Sequence, residues 1–387
     1  MKRAANYLLQ TIEHVDYLLP YGQSIVEHRP TISLNEAGVF LWDLLEHALT
    51  REEILAKFLE QFLQDETQKD ALTEDLNQFL NHLVGLRIIE DDAPDLCSAG
   101  TPSAWLQIGG LRLAYYGPRG MIEGSNLREF CVDPGDRADQ KIYIFWDVPV
   151  VRASSTVLLN SNELIVCEGD TEYRLIFPTL SKIREAAVAK DGKSVRFYCK
   201  PPITKELSAE FFDAYRFTFL YLAQQHDMYA IHSVSIYYRE RAWLFSASSG
   251  TGKSTHANLW KELYQTAIIN GDLNLLAIED GTPVIHGIPW CGTSEIFDKA
   301  SYPLGGVIFL RQSDQDTIAE LSPDQKTLRV MQRFISPAWT EQGLKANLQF
   351  AGRLAPQILI CQLQCTKNQS AVEVMKRWID QNDMAGK

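Results

Sequence analysis

Residues 241–263 read RAWLFSASSGTGKSTHANLWKEL, and the fold of the C-terminal half turns on that stretch. RAWLFSA is a short apolar run suited to a buried strand, and Ala257, Leu259, Trp260 and Leu263 are spaced as on a helix packed against a sheet. Between them, residues 247–254 (ASSGTGKS) follow the G-x-x-x-x-G-K-S/T pattern, with Ala247 in the place of its first glycine. Glycines let backbone N–H groups turn inward on phosphates while the following helix offers its positive N-terminal end. The expectation is a phosphate loop for ATP, with Ser249, Gly250, Thr251, Gly252, Lys253, Ser254 and Thr255 around the nucleotide. Lys253 would reach the outer phosphates, and Ser254 would bind Mg2+.

Downstream, the apolar run TAIIN delivers Gly271 and Asp272 at a strand end. A carboxylate there can hold magnesium or take the proton of a substrate hydroxyl. Taken alone, N-G-D is a turn signal; behind a phosphate loop it becomes a catalytic candidate. His232 lies one strand upstream, in IHSVSIYY, and His256 sits just after the loop, where a core or surface role is as good a reading as a functional one. GIPWCGTSE, residues 287–295, packs glycines, Pro289 and Trp290 into one short loop. It reads either as a tight turn over a core or as a substrate loop presenting Glu295.

Farther out, residues 208–225 carry Phe211, Tyr215, Phe219 and Leu222 at helical spacing, leading into the strands SVSIYY and AWLFSA. From Trp105 to about Pro202 the pattern is strands: LQIGGLRLAYY, KIYIFWDV, TVLLN, ELIVC, EYRLIF and SVRFYC, parted by Gly, Asp and Asn turns. DDAPDLCSAGTPS, residues 91–103, is acidic, rich in small residues and without apolar period, hence a linker. Ahead of it, DYLLP and SIVEH read as a hairpin through Tyr21, Gly22 and Gln23. Three helical segments follow. The first carries Leu34, Phe40, Leu41, Leu44 and Leu45; the second opens on a Thr50/Glu53 capping box; the third starts near Thr73 and stops at Gly85 before the strand LRIIE. Hairpin, helices and closing strand predict a small winged-helix domain.

The 387 residues are too many for one small core. The division expected is 1–95, a β-rich region 96–205, and a phosphate-loop domain 206–387, in an α+β or α/β multidomain chain. No apolar run is long enough to cross a bilayer, and Glu13, His14 and Asp16 interrupt any signal-peptide core. The seven cysteines form an odd set without a C-x-x-C pair, which fits reduced thiols in a cytoplasm. No H-E-x-x-H or Cys/His grouping suggests structural zinc. A formal net charge of −12 argues against general affinity for nucleic acid or anionic membrane.

Residues 206–387 resemble the kinase domain of HPr kinase/phosphorylase and its relatives, which share a phosphate-loop architecture with ATP-dependent phosphoenolpyruvate carboxykinase. In that family a histidine opens a strand pair before the loop, as His232 does, 21 residues ahead of Lys253. An acidic pair follows the loop helix; Asp272 takes its second place and Gly271 stands where the first aspartate belongs, with Glu295 as the candidate substitute. The strings GTGKSTHANLW, NGD and PWCGT look closer to a divergent branch associated with modified-peptide biosynthesis. Residues 16–90 resemble a PqqD-like domain, the element that captures leader peptides of ribosomally made, modified peptides; SLNEAGVFLWDLLEHALTREEIL and DLNQFLNHLVGLRIIE carry that likeness.

The two resemblances imply an ATP-dependent kinase acting on a Ser or Thr hydroxyl of a precursor peptide. Its catalytic residues would be Asp272, Lys253 and His232, with magnesium on Ser254, Asp272 and Glu295. The leader would pair with the hairpin's edge strand beside the third helix. A small-molecule or carboxykinase-like kinase, a nucleotide-gated peptide adaptor and adenylyl transfer are the competing readings, and a homo-oligomer, the choice of ATP over GTP and the identity of the peptide are left open.

Overall fold

The computed structural model describes all residues except 5, 27–28, 48, 64, 87, 91–100, 147–155, 249 and 384–387. The expected linker at 91–103 therefore lies mostly outside the described residues. The chain divides into two compact units. One is Met1–Thr101 with Trp146–Ser155 and Tyr198–Pro201; the other is Pro102–Phe145 with Thr156–Phe197 and Pro202–Lys387.

In the first unit, Tyr7–Ile12 pairs with Val15–Pro20, which pairs in turn with Ile32–Leu34. DYLLP is a strand as expected, but its hairpin partner is Tyr7–Ile12. Of SIVEH, Ser24–Val26 belong to the single helical turn Gln23–Val26, preceded by Gly22 at φ +57°, and the last two residues lie outside the described ones. The hairpin escapes the sequence pattern because its two-residue turn is Glu13 and His14, at φ +48° and +71°. Both residues take the left-handed backbone that glycine or asparagine normally signals. Three helices follow, Glu36–Leu44, Arg51–Phe62 and Lys69–Gly85. Asn35 caps the first by accepting from the Gly38 N–H, and Thr50 and Glu53 form the expected capping box on the second. The third starts four residues before Thr73, and Ile89–Glu90 closes against Lys2–Arg3. Leu18, Leu41, Leu45, Ile54, Leu80 and Ile88 are its buried core.

Two large sheets are built mainly from residues of the second unit. One has the strand order 156–160, 165–168, 172–176, 183–189, 194–199, 140–146, 111–116, 104–108, 131–132. The expected strands are present over their described residues; KIYIFWDV appears as Gln140–Trp146, and its last two residues lie outside the described ones. Ile183–Ala189 joins them unannounced, because IREAAVA has four of its residues buried consecutively and hence no alternation to detect. The other sheet centres on Arg241–Ser246, parallel to Ser301–Gln312, itself parallel to Leu359–Cys365. Alternation along the central strand sorts its faces. Trp243 and Phe245 pack with Trp260, Met375 and Ile379 of the helices Lys253–Tyr264 and Gln369–Asp383. Ala242 and Leu244 pack with Val330, Phe350 and Leu354 of Pro323–Met331 and Glu341–Leu354. Helices on both faces are what a parallel sheet core requires.

His256 belongs to that packing. Its ring meets Phe245 edge-on at 4.7 Å, and its Nε2 accepts from Trp260 Nε1 at 3.2 Å. Burial pushes its pKa down from 6.5 to about 4, with the Asp316 charge opposing. The unfolded chain thus takes up a proton that the fold refuses. The stability from this histidine is fully present above the unfolded value and is lost as pH falls toward the folded one. Between neutrality and about pH 4.5 the loss should reach about 2 to 3 kcal/mol. Urea unfolding of wild type and His256→Gln, whose amide oxygen can still accept from Trp260, checks this: the variant should shed that component, and an unchanged pH slope would contradict it.

Candidate functional site

The central strand ends at Ser246 and the helix begins at Lys253, so six residues make the turn. Gly250 and Gly252 sit at φ +75° and +103°, conformations that L side chains rarely adopt, and a Cβ built on either meets nothing within 4 Å. The turn therefore presents bare backbone to open space at a helix N-terminus, an arrangement suited to an anion. Lys253 Nζ donates to the Ala247 carbonyl at 3.2 Å. Burial draws the Lys253 pKa below its ordinary value, Asp272 pulls it back up, and Arg333 pushes it down.

A cavity of about 670 Å³ opens over this turn, lined by Gly250, Gly252, Lys253, Ser254 and Thr255 on one side and by His232, Gly271, Asp272, Thr293 and Ser294 on the other. It brings together most of the residues singled out in the sequence. Thr251 lines a small neighbouring pocket with Gln312 and Thr366 instead, and Ser249 lies outside the described residues. Glu295 is exposed at φ +55° and is not among the lining residues, although Ser294 and Ile296 on either side of it are. Among the described residues no group of three or more His, Cys, Asp or Glu side chains is placed to hold a metal ion. Ser254 and Asp272 share the cavity without Glu295.

His232 ends the strand Tyr229–His232 and Asp272 follows Ala267–Asn270; their side chains meet at 3.1 Å, Nε2 to Oδ1. That hydrogen bond holds the Asp272 carboxyl below the usual aspartate range against the opposing effect of burial, with the charges of His232, Arg216 and Lys253 adding to it. The backbone around the pair is fixed as well. Ser233 N–H donates to Asp272 O at 2.9 Å, and His232 N–H donates to Arg333 O at 3.0 Å. An ionised carboxylate hydrogen-bonded to imidazole, facing an amine and an anion-suited turn, can accept a proton while a neighbouring negative charge is held.

Gly271 has a local reason. A Cβ there would lie 1.9 Å from Ser294 Oγ, so Ser294 occupies the space a side chain at 271 would need. Gly292, at φ +60°, is similarly pressed against Asp272, where a Cβ would meet its Cγ at 3.0 Å. The 287–295 loop is thus a wall of the site. It is anchored by Trp290, whose ring stacks on Phe212 and packs against Tyr215 and Phe219 of the helix Lys205–Gln225, and whose Nε1 donates to Phe212 O at 2.9 Å.

Sequence reasoning missed Arg333. It follows the helix Pro323–Met331, its Nη2 donates to Ser248 Oγ at 3.3 Å, and it adds a second cation beside Lys253. No local motif marks it, because only the tertiary fold brings it to the turn. Thr293, Ser294 and the buried Asn270 were likewise hidden inside turn-like strings.

The PqqD family, coenzyme PQQ synthesis protein D, matches this chain over residues 25–89. No curated protein matches it. Among solved structures, the Hpr(Ser) kinase/phosphatase from Coxiella burnetii aligns with 41% of this chain and 96% of its own, at 8% identity and a TM-score of 0.24.

Proposed function

We propose that this chain is an ATP-dependent kinase that phosphorylates a Ser or Thr hydroxyl of a ribosomally made precursor peptide, whose leader is captured by the PqqD-like segment. The observation that carries the reading is the convergence of the Gly250–Ser254 turn, Lys253 and the His232–Asp272 pair on one cavity. The open space over Gly250 and Gly252 fits a triphosphate. Ser254 and Asp272 would hold magnesium, which supplies charge neutralisation on the outer phosphates when bound.

The remaining work falls to the chain itself. Lys253 and Arg333 face the phosphates, and Asp272, kept ionised by His232, takes the proton of the substrate hydroxyl. The hydroxyl oxygen forms the new bond to the terminal phosphorus as the bond to the bridging oxygen breaks and ADP leaves. Peptide specificity then lies in the leader. Tethering it beside the third helix raises the local concentration of the modifiable residue, commonly toward millimolar for a short link. With Ser24–Val26 helical, the edge strands of this sheet among the described residues are Tyr7–Ile12 and Ile32–Leu34, and such pairing would fall to one of them.

The test uses the full chain with ATP and a full-length precursor peptide, or the same peptide without its leader, read by intact mass. At micromolar peptide, one phosphoryl group should be added to the precursor, and kcat/KM should fall roughly 10²-fold without the leader. Equal rates on both peptides would reject leader guidance, and a product heavier by a nucleotidyl group would replace phosphoryl with adenylyl transfer.

A further inference from the structure

Beneath the His232–Asp272 pair lies a polar network within an otherwise apolar core. Ser233, Ser235, Asn270 and Asn274 are each at most 2% exposed. Asn274 Nδ2 donates to Ser233 O and Oγ at 2.7 and 3.0 Å, Ser235 Oγ donates to Asn274 Oδ1 at 2.6 Å, and Asn270 N–H donates to Ser235 Oγ at 3.1 Å. Burying amides and hydroxyls is costly unless every group is paired, and a fully paired network admits one geometry.

Asn270 is the member that reaches both walls of the cavity. Its Oδ1 accepts from Asp272 N–H at 2.9 Å and Leu273 N–H at 3.0 Å. Its Nδ2 donates to Ile288 O at 3.3 Å and Trp290 O at 3.1 Å. One side-chain amide thus fixes the backbone that carries the carboxylate and the loop that carries Thr293 and Ser294. An amide is the side chain that does this at that size, since the two sides need opposite hydrogen-bonding polarity.

We propose that Asn270 is a positioning residue for phosphoryl transfer, setting the Asp272 carboxylate against the 287–295 loop so that an acceptor hydroxyl held by the loop meets the base. This rests on the kinase reading above. It assigns Asn270 a role in kcat and none in holding the nucleotide, because Gly250–Ser254 lies on a different strand end.

Two variants separate that role from general stability. Asn270→Asp keeps the shape and the acceptor toward Asp272 but turns an oxygen toward the Ile288 and Trp290 carbonyls. Asn270→Ser keeps a small acceptor near Asp272 and cannot span to the loop. With the full chain, ATP and precursor peptide, kcat per nucleotide-binding site should fall roughly 10²-fold in both, as expected for a misplaced reacting group. Affinity for ATP without magnesium, measured by calorimetry, should stay within about threefold, because Asn270 shares no partner with the Gly250–Ser254 turn. An unchanged kcat, or a loss that merely tracks the fraction of folded sites, overturns the proposal. Should the wild type transfer no phosphoryl group to any peptide, the kinase reading fails and hydrogen exchange of residues 287–294 decides the tie. Exchange at least about tenfold faster in both variants, with ATP affinity retained, upholds the link between loop and strand end; unchanged exchange overturns it.

Discussion

Asp272→Asn should bind ATP without magnesium as tightly as the wild type, or more tightly, lose affinity for magnesium and its ATP complex, and form product roughly 10⁴-fold more slowly, the upper range for loss of a proton-accepting group. The substitution is nearly isosteric and keeps the local scaffold. The Asp272 N–H still donates to Asn270 Oδ1 and its carbonyl still accepts from Ser233, while an amide oxygen can still accept from His232 Nε2 at the 3.1 Å now seen. What disappears is a negative charge in a site that holds Lys253 and Arg333. Anion binding should therefore not suffer, and the proton acceptor is lost. Calorimetric ATP affinity beside single-turnover peptide phosphorylation makes the measurement. Turnover within about tenfold of wild type would place the base elsewhere.

The parts of this molecule that the sequence discloses are those whose physics is local. The Thr50/Glu53 cap, the apolar periods of the three N-terminal helices, and the strand, glycine turn and helix of residues 241–264 each need only a few neighbouring residues to be recognised. The first hairpin is local too, yet it stays hidden because Glu13 and His14 adopt a backbone that their residue types do not announce. Ile183–Ala189 is hidden for the opposite reason: buried on both faces, it has lost the alternation that marks a half-exposed strand.

The candidate site divides in the same way. Lys253, Ser254 and Asp272 follow from motif and spacing, and the cavity brings them together. Glu295 was chosen for its charge and its glycine-rich loop, whereas the loop turns it outward and inserts Ser294 beside Gly271 instead. The N-G-D string conceals Asn270, whose side-chain amide joins the neighbouring Asp272 and Leu273 N–H groups to Ile288 and Trp290 carbonyls of a distant loop. Arg333 needs an entire helix pair to reach Ser248. Groups that recognise a ligand through backbone leave a signature in composition; groups that hold two segments in register do not.

Lys253→Ala should fold and lose roughly 10³-fold in ATP turnover, at the high end for removing one charged contact to the transferring group. Folding is expected because alanine suits the first turn of a helix and the bond that Lys253 Nζ makes among the described residues, to Ala247 O, involves a carbonyl beside an open cavity that water can satisfy. The loss is expected to be large because the amine is already in place. It stands half-buried at the mouth of the turn, where burial strips it of water and makes its charge act more strongly than it would at the surface. Arg333 adds its charge from its own place beside Ser248, where its backbone carbonyl is held by His232 N–H, and so does not fill the position that the lysine leaves. ATP affinity should fall less than turnover, because the lysine meets charge that shifts toward the leaving oxygen as the reaction proceeds. Circular dichroism to confirm folding, calorimetry for ATP and a coupled assay for ADP release test each part. A folded Lys253→Ala variant with near wild-type turnover would mean that the 247–254 turn does not hold the reacting phosphates.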